Sequence, residues 1–231
     1  MSVASSHFEP TAARINWRPR YRFEQVIDDI CDLSWESVSN EEVIFIAFMY
    51  YFFSIQFREN LELALAVYPD DLQLKLLYGE ECETDNLSPW AGIAELGERM
   101  NHDEFVRRLL LLSPNSEFER LRDVGEQYLR RTRSIEPSVR AASIASYEDQ
   151  GLSKVFEAML RAPVWRGSGQ AAFRHFLEKH IEFDSGTDQG HGALTRHLKP
   201  DDSILPLWVA FRDILIMAAP SLSKGKGRAR A

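Results

Sequence analysis

The chain has 231 residues, 45% of them apolar, which is enough for one full-sized core and lies within the range of a single domain. A formal net charge of -8 weighs against a duplex nucleic-acid binder, because such proteins need Lys and Arg to displace counterions from phosphates, and leaves small molecules or proteins as partners. The two cysteines, Cys31 and Cys82, stand in no metal-ligand spacing, suggest neither a disulfide framework nor a zinc finger, and fit a reducing cytoplasm.

From the N-terminus, residues 1–20 carry Pro10 and Pro19 and lack helical periodicity, so they read as a flexible segment ahead of a domain over 21–219. They also lack the basic-then-apolar order of a signal peptide. Residues 23–33 form a first short helix. Ser39 with Glu42 supplies a capping box for a long apolar helix that runs to about Val67, with Pro69 marking its end. Its apolar run over 43–57 is shorter than the roughly 18 residues a membrane span requires, so we expect no membrane partner and a cytoplasmic location. A helix apolar on every side at that length is expected in a core, and its aromatics (Phe45, Phe48, Tyr50, Tyr51, Phe52, Phe53, Phe57) are core packing or the wall of a pocket.

Residues 70–83 continue as a helix, 83–101 are rich in turn formers, and 102–112 are helical until Ser113 and Pro114. Further helices are predicted over 117–133, 137–160 with proline in the first turn, 170–183 and 202–218. Residues 220–231, with four cations on a Gly-rich end, read as a disordered tail. No strand alternation or hairpin signal appears, so the fold class is all-α, a single-domain helical bundle.

His180, Asp184, His191 and His197 fall within eighteen residues, in a chain with six histidines. His180 and Asp184, four apart on a helix, share one face and can chelate one metal, and imidazole nitrogen with carboxylate oxygen suits iron or manganese. On an unbroken helix His191 would lie roughly 16 Å further along the axis, at about 1.5 Å per residue. Gly186 and Gly190 are residues at which that helix can break and fold His191 back; the alternative is a helix ending at Asp184 with surface histidines after it. Upstream, Glu148 beside Tyr147 stands in a helix of apolar and small residues, Glu80, Glu81 and Glu83 close another helix, and His102 opens one. Glu95 and Glu98 are helical-spacing alternatives to the Glu80/Glu81 pair. Taken together this is the inventory of a helical dimetal carboxylate site.

The order LYGEE then NHDEFVRRLL, SYED ahead of GLSKVFEAML, and KHIEFD followed by GHGAL resembles the haem-oxygenase-like diiron oxidases and oxygenases, over about residues 43–218. The resemblance implies a haem-oxygenase-like bundle holding two Fe(II) ions on Glu80 or Glu81, His102, Glu148, His180, Asp184 and His191. It implies O2 as co-substrate, an external reductant, and a small organic substrate such as an amino acid undergoing N-oxygenation, desaturation or oxidative C–C cleavage; a homodimer is compatible with it. The sequence departs from the pattern in that His191 comes seven residues after Asp184 instead of three or four, and in a longer interval between Glu80/Glu81 and His102. Arg58, Arg174 and Arg196 are candidate partners of a substrate carboxylate. Two further readings stay open: a metal-free small-molecule binder or acid-base enzyme of the thiaminase-like type, and a protein-interaction module.

Overall fold

The computed structural model describes residues 21–149, 151–184, 191–195 and 197–223. Among the described residues ten α-helices follow one another: α1 Arg22–Cys31, α2 Asn40–Val67, α3 Leu72–Cys82, α4 His102–Leu111, α5 Phe118–Arg133, α6 Pro137–Glu148, α7 Gly151–Met159, α8 Ser168–Asp184, α9 His191–Thr195 and α10 Leu205–Ala218. No β-strand occurs among the described residues, whose only ladder fragments are single bridges between Thr84 and Met100 and between Trp90 and Ala94. The fold is all-α, and no described helix is long and apolar enough to cross a membrane.

Helix α2 is the axis. It starts as the sequence predicts: the Ser39 hydroxyl accepts the Glu42 N–H and the Glu42 carboxylate accepts the Ser39 N–H, satisfying two donors that an open helix end leaves unpaired. Helices α3, α4, α5, α6, α8 and α10 all pack against it, which is why a helix apolar on every side is stable here. Most of its aromatic run is core: Phe53 and Phe211 of α10 lie 4.2 Å apart between ring centres, and Tyr50 contacts Phe156, Phe173 and Phe176. Helix α5 approaches α2 tightly at Gly125, where a Cβ would stand 2.3 Å from the Phe52 ring.

Three expectations are corrected. The helix predicted over 137–160 is two, with α6 ending at Glu148 and α7 beginning at Gly151. The chain folds back so tightly there that a Cβ on Gly151 would lie 2.0 Å from the Ser146 carbonyl oxygen, a contact only glycine permits. The helix predicted over 202–218 begins as a 3-10 turn, Asp202–Ile204, before α10 proper. The start of the predicted tail is folded: Pro220–Ser223 forms a 3-10 turn with Leu222 fully buried, the Leu222 carbonyl accepts from Ser34 N–H, and Ser221 N–H donates to Glu42.

Candidate metal centre

The site grows out of the buried stripes of five helices. On α8 the stripe runs Phe173, Phe176, Leu177 and then His180; on α4 it is His102, Phe105, Val106 and Leu109. On α6 it runs Ala141, Ile144, Ala145 and Glu148, and on α3 Leu74, Leu77 and Glu81. In each case a spacing of three and four turns the polar residue inward with the apolar ones. His191 opens α9, which packs on α3, α6 and α8 and so faces the same point.

Five side chains thereby meet in the interior, each between 5% and 7% exposed: Glu81, His102, Glu148, His180 and His191. They form two groups of potential cation ligands, Glu81 with His102 and His180, and Glu81 with Glu148 and His191, so Glu81 belongs to both. In the first, His102 Nδ1 lies 2.7 Å from Glu81 Oε2 and 3.0 Å from His180 Nε2. In the second, His191 Nδ1 lies 3.1 Å from both Glu81 Oε1 and Glu148 Oε2.

The outward-facing nitrogens are tied as well. His180 Nδ1 donates to the Phe176 carbonyl at 2.8 Å, which leaves Nε2 as the lone-pair nitrogen that faces His102. His102 Nε2 lies 3.3 Å from Asn86 Oδ1, and His191 Nε2 lies 3.1 Å from Glu80 Oε2. All three imidazoles are thus oriented with one nitrogen inward and the other against an oxygen, the arrangement by which proteins preset histidine ligands.

Electrostatics follow from that geometry. Burial, and then His102 beside it, push the His180 imidazole down to about 3, so it is neutral and available as a donor of electron pairs. Burial alone would raise the Glu81 carboxyl, yet His102 and His191 hold it well below the ordinary carboxylate value. His191 behaves in the opposite sense: burial opposes its charge, but Glu148, Glu80 and Glu81 raise it well above the usual imidazole value. The charged imidazole thus offsets the negative charge of the carboxylates around it.

A cavity of about 20 Å³ adjoins the cluster, close to the space one water needs. Tyr50, Phe57, Leu152 and Phe156 wall it, and Arg58 and Asp103, 3.4 Å apart, are the two lining residues that are not buried and so mark its solvent side. The donor set of imidazole nitrogens and carboxylate oxygens fits iron or manganese, and Cys82, which also lines the cavity, has its thiol pushed up to about 12 by burial and then by Glu81.

Of the residues singled out in the sequence, Glu81, His102, Glu148, His180 and His191 come together, and Glu80 sits half-exposed on the outer side of His191. The side chain of Asp184, and Gly186, Gly190 and Arg196, lie outside the described residues. Glu98 and Glu95 belong to a surface turn, Glu98 paired with Arg108; Arg174 pairs with Glu178 on the exposed face of α8, and His197 pairs with Asp71. Tyr147 turns its hydroxyl toward Gln56 at 3.5 Å. Asn86 was not foreseen, since an asparagine in a turn-rich segment carries no signal of its distant partner. Compared with protein-family models, curated proteins and solved structures, the chain matches none.

Proposed function

We propose that this protein is a non-haem diiron oxidoreductase that uses O2 to oxidise a small organic substrate on a haem-oxygenase-like bundle, drawing on an external reductant. The observation that carries this reading is the double membership of Glu81, a buried carboxylate that belongs to both ligand groups. Glu81, His102 and His180 would hold one ion, and Glu81, Glu148 and His191 the other. The ferrous pair, when bound, supplies electrons for reducing O2. The chain's own part is to orient the imidazoles through their outer nitrogens, to keep Glu81 ionised, and to exclude bulk water with Phe57, Leu152 and Phe156. The cavity as it stands admits a molecule the size of water or O2, so a larger substrate requires the Arg58 and Asp103 side chains to part.

Anaerobic loading with Fe(II), followed by elemental analysis and then exposure to O2, tests the reading. We expect about two irons per chain, O2 uptake and a transient change in absorbance. Glu81→Ala is expected to lose both irons, whereas His180→Ala and His191→Ala each lose one. A wild-type chain that retains no iron contradicts the proposal and favours the metal-free binder.

A further inference from the structure

The three imidazoles differ in what holds their outer nitrogens. His180 is held by a backbone carbonyl and His102 by the amide oxygen of Asn86, both neutral, whereas His191 is held by the carboxylate of Glu80. The exposures differ too: the Glu80 side chain is 51% exposed and that of His191 7%. Glu80 is therefore placed at the border between the buried cluster and solvent, at the end of α3, where Asn86 Nδ2 also donates to its backbone carbonyl at 3.4 Å. The same asparagine thus ties the Glu80 backbone to His102.

Accepting the diiron reading above, we propose that Glu80 is a positioning residue and not a metal ligand: it grips His191 by Nε2 so that Nδ1 faces the gap between Glu81 and Glu148. His191 Nδ1 stands 3.1 Å from each of those inner carboxylates, so a cation bound between them meets Nδ1, while Nε2, on the far side of the ring, remains with Glu80. A carboxylate on the far nitrogen fixes the tautomer and strengthens the near nitrogen as a donor. His102 and His180, held by neutral oxygens, lack that assistance, so the two cation positions are unequal and the Glu80 side chain tunes only one of them.

Calorimetric titration of the metal-free protein with Mn(II) separates this role from a ligand's. Wild type should take two ions. Glu80→Ala should weaken one of them by about 10- to 100-fold and leave the other unchanged, the unchanged ion serving as an internal control for folding. Glu80→Gln keeps an oxygen on Nε2, and with it the ring's orientation and tautomer, but loses the charge that strengthens Nδ1 and is a poor ligand, so it should restore part of the lost affinity. Equal losses in both variants would make Glu80 a ligand, and no loss in either would deny it any part; both outcomes overturn the proposal. A wild-type protein that takes no Mn(II) would instead sink the metal-centre reading on which it rests.

Discussion

His180 follows Phe173 and Phe176 on the buried face of α8, where a charged imidazole is costly, and burial, with His102 beside it, pushes the group down to about 3. Because the folded value lies below the unfolded value of 6.5, this residue contributes stability that is present above 6.5 and is lost as pH falls toward 3. Glu81, also lowered, acts in the same sense, its contribution present above 4.5 and lost at lower pH. His191 is raised, so its contribution is complete below 6.5 and declines as pH rises through its folded value. For the metal-free protein the three together place the most stable pH near 6.5, and melting temperature measured from pH 4 to 9 should fall on both sides of it. A melting temperature still climbing at pH 9 would contradict the assignment of His191 as the buried cation.

The same residues show what the sequence makes legible. Glu81 lies four residues beyond Leu77 and seven beyond Leu74, so register alone sets it on the inward face of α3 and leaves Glu80 to one side. His102, Glu148 and His180 hold equivalent places in their own stripes. The pairing of Asn86 with His102 and of Glu80 with His191 was not legible, because each depends on how a turn-rich segment or a short helix returns to the core.

At the scale of elements, two glycines carry different duties. Gly125 lets α5 approach α2 beside Phe52, and Gly151 lets α7 start against the Ser146 carbonyl and the Trp208 ring. Alanine at either position overpacks its contact, at a cost of about 1–3 kcal/mol in denaturant unfolding. Only Gly151→Ala should also weaken cation binding, since the turn it distorts follows directly on Glu148. If Gly125→Ala weakened binding equally, the effect would be one of global stability and not of the turn. That turn was invisible in the sequence, where residues 137–160 carry helical spacing throughout with no proline after Pro137 to divide them.

Across the whole molecule, α3, α4, α6, α8 and α9 bring their polar stripe positions to one interior point beside α2, while α10 packs on α1, α2 and α5 and is followed by the C-terminal turn. An all-helical chain was readable from periodicity alone, and so was a concentration of imidazoles late in the sequence. The convergence was not, because it depends on where short helices such as α9 land after the chain turns back. The central claim is that Glu81 lies between two cation positions. Anomalous diffraction from crystals equilibrated with Fe(II) under anaerobic conditions tests it directly. Two anomalous peaks flanking the Glu81 carboxylate, one toward His102 and His180 and one toward Glu148 and His191, are the result predicted here. A cluster without any peak, in crystals that bind iron elsewhere or not at all, would contradict it.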